Sequence, residues 1–200
     1  MDQKNLEHHG HWLFDMDGTL TIAMHDFDAM RAELGLPVGV PILEALAQLP
    51  ESIAQQKHQQ LDDMELDMAS AARPQPGAAN LLQFLSDKGA KLGIVTRNGK
   101  TIAERTLQAC GLANFFNPDT VISRDCCVAK PDPAGVNLML DRWSANANDT
   151  VMVGDYRFDL EAGRGAGVTT IHLDVDGLFP WPELTDYSVS TLNELSARIA

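Results

Sequence analysis

Four short stretches carry polar side chains suited to acting together: Asp15-Met16-Asp17-Gly18-Thr19, Thr96-Arg97-Asn98, Lys130-Pro131-Asp132-Pro133, and Gly154-Asp155 with Asp159 four residues on. Taken singly, each has an ordinary structural use. Asp15 and Asp17 are common turn formers, Thr96, Asn98 or Asp159 would cap a helix, and Lys130 would be a solvated loop charge. As a set they offer several carboxylates, one hydroxyl and one ammonium. Carboxylates gathered in one place repel one another unless a cation sits among them, so the set implies a hard divalent metal, Mg²⁺. Mg²⁺ held by few carboxylates and several waters is suited to meeting phosphate.

The elements that must gather these stretches follow from the hydrophobic pattern. His11-Trp12-Leu13-Phe14 is a short apolar run with no helical period, and it reads as a buried strand delivering Asp15 and Asp17 to its carboxyl end. Helices expected over 78–88, 100–110, 133–143 and 159–164 alternate with strands expected over 91–95, 120–122, 150–153 and 168–172. A short strand over 187–189 and a closing helix over 191–199 follow. Strands separated by helices of this length predict an α/β fold with a doubly wound parallel sheet. In such a sheet, ligands bind outside the carboxyl ends of the strands, where all four stretches fall. Residues 22–72 have helical character only, and Arg73-Pro74-Gln75-Pro76-Gly77 punctuates their exit. The chain therefore divides into a core of residues 1–21 and 74–200 and a small all-α unit of residues 22–73 inserted after the first strand.

With these stretches in this order, the sequence resembles the haloacid dehalogenase superfamily, and within it a phosphoglycolate-phosphatase-like subgroup with a small helical cap. Asp15 to Thr19 look like the first motif, Thr96 the second, Lys130 the third, and Gly154-Asp155 with Asp159 the fourth. The resemblance implies a Rossmannoid core and a phosphoric monoester hydrolase. It makes Asp15 the nucleophile that becomes an aspartyl phosphate, and Asp17 the acid for the leaving alcohol and the base for water. The metal would lie on Asp15, Asp155 and the main-chain carbonyl of Asp17, and Asp159 would bind a metal-bound water or Lys130. Thr96, with the following Arg97 and Asn98, would hold the phosphoryl oxygens, Lys130 would offset their charge, and Thr19 would orient the nucleophile loop. Superfamily members that break carbon–halogen or carbon–phosphorus bonds usually lack an acid at the position of Asp17, so its presence favours a phosphate ester. A sugar phosphomutase shares this core, and a phospho-acceptor signalling domain also places acids, a hydroxyl and a lysine at strand ends. A signalling receiver, however, lacks both the helical insert and the downstream Asp155–Asp159 element.

The insert sits where the superfamily places a cap over the strand ends, with hinges near 21–26 and 73–77. Within it His25, Asp26, Arg31 and Lys57 are the candidates to touch substrate. Its three basic residues stand against nine acids, a net charge of −6 that disfavours a polyanionic substrate. The whole 200-residue chain carries −13, which repels nucleic-acid backbones and anionic membranes. The expected partner is a small phosphorylated metabolite, with no nucleic acid and no membrane, acting on a monomer or homodimer. Cys110, Cys126 and Cys127 make no disulfide framework, Cys126 and Cys127 are expected to be buried inert thiols, and no signal-peptide core is present. These features predict a cytoplasmic protein. His8, His9 and His11 are expected to lie in an unstructured tail rather than form a metal site.

Overall fold

The computed structural model describes residues 6–23 and 26–200. Six strands form one parallel sheet: β1 (His11–Phe14), β2 (Lys91–Val95), β3 (Val121–Ile122), β4 (Thr150–Gly154), β5 (Thr169–Leu173) and β6 (Tyr187–Val189). Their order is β3-β2-β1-β4-β5-β6, so the chain winds outward from β1 in one direction and then returns to its other side. The winding reverses between β1 and β4, which is where the crevice of such a sheet opens.

Eight helices accompany the sheet among the described residues. Three of them, α1 (Phe27–Glu33), α2 (Ile42–Leu46) and α3 (Glu51–Ala71), lie between β1 and β2 and precede α4 (Ala78–Asp87). The others are α5 (Lys100–Ala109), α6 (Ala134–Trp143), α7 (Arg157–Gly165) and α8 (Leu192–Ile199).

Alternation along β1 decides how the helices divide. Trp12 and Phe14 point to one face, where they are buried with Leu81, Leu107 and Leu195 of α4, α5 and α8. Leu13 points to the other face and meets Val136 and Met139 of α6 and Ala162 of α7. Burying each of these large side chains contributes about 1.5–3 kcal/mol. The insert encloses a cluster of its own, with Met30, Leu34, Ile42, Leu46 and Leu61 out of water. It enters and leaves through a short antiparallel contact: Ile22 donates its main-chain N–H to the carbonyl of Arg73 at 3.0 Å, beside the bridge of Thr21 with Pro74.

Several local expectations shift. Thr120 closes a 3₁₀ turn, Pro118–Thr120, so β3 starts one residue later than its apolar run suggested. Helix α7 begins two residues before Asp159. Cys126 is exposed and Cys127 half-buried, against the expectation of buried thiols, because both lie on the loop after β3 rather than in a packed element. The histidines near the start are also not a loose tail. His11 opens β1 with Nδ1 3.1 Å from Asp149, and Nε2 of His9 lies 3.3 Å from the Thr169 hydroxyl.

Candidate active site

Asp15 follows β1 directly, its N–H donating to the carbonyl of Val153 on β4 at 2.9 Å. Its carboxylate therefore emerges at the carboxyl edge of the sheet. Lys130 arrives from the loop before α6, with its side chain almost wholly buried. Its Nζ lies 2.5 Å from Oδ1 of Asp15 and 2.6 Å from Oδ1 of Asp159. Burial alone would favour loss of the lysine proton, but the two carboxylates and their hydrogen bonds hold its pKa above the usual value. Asp159 is fixed on its other side, where Oδ2 accepts the N–H of Tyr156 at 3.0 Å as part of the cap of α7.

Asp155 completes the group. Oxygens of Asp15, Asp155 and Asp159 lie within 4.8 Å of one another. Two glycines permit this crowding. A Cβ on Gly18, whose φ is +85°, would stand 2.2 Å from Oδ2 of Asp155, and one on Gly154 would stand 2.1 Å from Cβ of Asp159. The Thr19 hydroxyl donates to Oδ1 of Asp155 at 3.0 Å. Burial, then the charge of Asp159, raises Asp15 to about 7 despite the opposing effect of Lys130. Burial, followed by the charges of Asp15 and Asp159, also pushes Asp155 well above the ordinary carboxylate range. Three carboxylates around one ammonium leave an excess of negative charge in a desolvated place. An all-oxygen donor set of this kind fits a hard divalent cation such as Mg²⁺.

Thr96 is buried at the end of β2 and its hydroxyl accepts the N–H of Asn98 at 3.2 Å. The Asn98 side chain turns to Asp17, donating Nδ2–H to Oδ2 at 2.6 Å. Arg97 is held elsewhere. Its guanidinium donates to both oxygens of Glu44 in α2, at 2.9 and 2.7 Å, and to the carbonyl of Lys130, and it lies over the Phe158 ring.

Three of the insert's expected contact residues make contacts within the insert itself. His25 lies outside the described residues. Asp26 caps α1 by accepting the N–H of Ala29, Arg31 pairs with Asp28 on the same helix at 2.5 Å, and Lys57 donates to the carbonyl of Leu34. Among the described residues, no hydrogen bond of Arg31 or Lys57 reaches the carboxylate group.

The residues that sequence reasoning passed over are Arg124 and its partners. Arg124, on the loop after β3, binds Asp62 and Glu65 of α3. Its position just beyond a strand's carboxyl end was the available signal. His172 of β5 is a second case, its Nε2 lying 3.2 Å from the carbonyl oxygen of Asp155.

A carboxylate–lysine–threonine group at the carboxyl edge of a doubly wound parallel sheet, with helices inserted after the first strand, defines a class of α/β enzymes. The family model described as haloacid dehalogenase-like hydrolase matches residues 12–173. The chain belongs to that family and is an enzyme of the hydrolase type. It is 32% identical, over 90% of its length and 76% of the relative's, to a haloacid dehalogenase-like hydrolase domain-containing protein of Arabidopsis thaliana. It is 28% identical to a phosphoglycolate phosphatase of Pseudomonas syringae, over 80% of this chain and 68% of that one. Its fold is similar to the crystal structure of a hydrolase from Pseudomonas syringae, with a TM-score of 0.78, 22% identity and coverage of 94% of this chain and 98% of that one.

Proposed function

We propose that this protein is a Mg²⁺-dependent phosphatase that hydrolyses a small phosphorylated metabolite through an aspartyl phosphate on Asp15. The observation that carries the reading is the buried ammonium of Lys130 shared between Asp15 and Asp159, at 2.5 and 2.6 Å. It aims Asp15 and offsets the charge brought by a phosphoryl group. When bound to Asp15, Asp155 and the carbonyl of Asp17, Mg²⁺ would supply the remaining positive charge that keeps these carboxylates ionised beside phosphate.

The residues then divide the work. An oxygen of Asp15 bonds to phosphorus while the bond to the leaving oxygen breaks, and Asp17 gives that oxygen a proton. In the second half, Asp17 takes a proton from water as the water oxygen attacks phosphorus and the bond to Asp15 breaks. Thr96 holds a phosphoryl oxygen throughout. Residues 22–73 act as a cap that excludes water and selects the leaving group. The phosphatase name of the Pseudomonas syringae relative supports the same reaction class. The −13 charge disfavours nucleic acid and anionic membrane as partners, and a monomer or homodimer in the reducing cytoplasm fits a chain with three free cysteines.

The test is phosphate release from a panel of small phosphate monoesters, with Mg²⁺ or with chelator, by the wild type and by Asp15→Asn. Release that needs Mg²⁺ and is abolished by Asp15→Asn in a folded protein is expected. Turnover by Asp15→Asn, or isomerisation of a sugar phosphate without phosphate release, overturns the reading.

A further inference from the structure

We propose that Asn98 is a positioning residue that holds the carboxyl group of Asp17 in the orientation it needs to exchange a proton with the leaving oxygen and with water. This rests on the reading of Asp17 as the acid and base of the reaction. The side-chain amide of Asn98 donates to Oδ2 of Asp17 at 2.6 Å. Asn98 is itself anchored: its main-chain N–H donates to the Thr96 hydroxyl at 3.2 Å and its carbonyl accepts the N–H of Arg124 at 3.0 Å. With only 6% of its surface exposed, it has little room to turn elsewhere.

The chemistry follows from what an amide nitrogen can do. Nδ2 presents hydrogens and has no lone pair to receive one, so the Asp17 oxygen facing it serves as the acceptor in this contact. The terminal torsion of a carboxyl group is broad, and this contact narrows it. In the first half-reaction, the leaving oxygen gains the electron pair of its bond to phosphorus and takes a proton from Asp17. In the second, the proton of the attacking water passes to Asp17 while Asp15 recovers its carboxylate. Because Asn98 also gives its main-chain N–H to Thr96, the same residue sets the acid–base group in register with the hydroxyl that holds the phosphoryl oxygens.

The experiment compares two substrates in wild type, Asn98→Leu, Asn98→Ala and Asp17→Asn, with Mg²⁺ present. Ethyl phosphate leaves as an alkoxide that needs a proton, whereas p-nitrophenyl phosphate leaves as a stable phenolate that does not. For Asn98→Leu, single-turnover cleavage of ethyl phosphate is expected to fall about 10-fold or more. The first-turnover burst of nitrophenolate should fall by a far smaller factor. Steady-state phosphate release should slow after that burst, so that phosphorylated enzyme accumulates and can be trapped and counted. Equal loss with both substrates, no loss with either, or failure of both Asn98 variants to fold overturns the inference, since the residue would then be structural or idle. If Asp17→Asn cleaves ethyl phosphate at the wild-type rate, the acid–base reading itself falls. If Asp17→Asn is slow and Asn98→Leu is not, only the role of Asn98 falls.

Discussion

Arg124 donates to both carboxylate oxygens of Glu65, at 3.2 and 2.8 Å, across the junction between the helical insert and the sheet. Both side chains are nearly out of water, at 9% and 8% exposure, and Asp62 adds a more exposed partner at 2.5 Å. Arg97 makes the matching contact with Glu44. Three of the insert's nine acids thus meet core arginines, Glu65 out of water and Glu44 and Asp62 still partly exposed. This refines what its net charge means: part of the negative charge holds the insert against the strand ends.

Removing Arg124 should therefore cost more than a surface ion pair. Arg124→Ala strands Glu65 as a buried charge without its main counter-ion, a change worth about 3 kcal/mol. For a chain of this length that corresponds to a fall in Tm of roughly 6–12 °C. Combining Arg124→Met with Glu65→Leu should recover much of the loss, because no charge is then left buried. Thermal unfolding of Arg124→Met, Glu65→Leu and the double variant measures the coupling. Additive losses would show that the pair does not act as one unit.

Asp15 and Asp155 contribute to the pH dependence of the metal-free protein with a definite sign, opposite to that of His172, whose pKa burial lowers. Asp15 is raised to about 7 and Asp155 is raised well above its ordinary range, so the folded state holds protons that the unfolded state has lost. Stability should fall as pH rises from about 4 through about 7, as these carboxylates are forced to ionise together. Mg²⁺ should reverse the loss, and its stabilising effect should be larger at pH 8 than at pH 5 because binding requires the ionised acids. Melting curves at both pH values, with Mg²⁺ and with chelator, decide the point. The fall should be smaller in Asp155→Asn, and an unchanged pH dependence in that variant would contradict the assigned crowding.

Lys130 is the ammonium inside that crowd, and its loss should be felt in both folding and turnover. Lys130→Met leaves Asp15 and Asp159 facing each other without their counter-ion, at a cost of about 3 kcal/mol in the metal-free state. Phosphate release should fall by about 10²–10³, the usual effect of deleting one donor to the developing charge. Chemical denaturation and steady-state assays report the two effects separately. Near-wild-type turnover would remove Lys130 from the reaction.

How far the site could be read beforehand depended on distance in the chain. β1, β2 and β4 were legible because each is a short apolar run that ends abruptly in polar residues, and the sheet rule then puts Asp15, Thr96 and Asp155 on one edge. Thr120 shows the limit at an element boundary, where its β-branched side chain suits a strand but local turn chemistry prevails. The contacts of Arg97, Asn98 and Arg124 were not legible. Each depends on the direction a side chain takes across a gap of tens of residues, and no local period records how the insert docks on the core. Arg97 looked like a phosphate ligand by position, yet Glu44 supplies the carboxylate that it binds.

Gly18 gives a final test of how closely the loop after β1 and Asp155 are built together. A residue with a side chain at φ +85° costs roughly 1–2 kcal/mol in backbone energy, and here the added carbon would also stand 2.2 Å from Oδ2 of Asp155. In Gly18→Ala the Asp155 carboxylate must turn away, and its hydrogen bond from Thr19 would go with it. The Mg²⁺ concentration for half-maximal activity should therefore rise by about 10-fold or more. Thr19→Val, which removes that hydroxyl while leaving Gly18 in place, should shift the Mg²⁺ requirement in the same direction by a smaller factor. Titrating Mg²⁺ against activity and against Tm in both variants separates a weakened site from a weakened fold. A Gly18→Ala enzyme with an unchanged Mg²⁺ requirement would mean that Asp155 does not hold the metal.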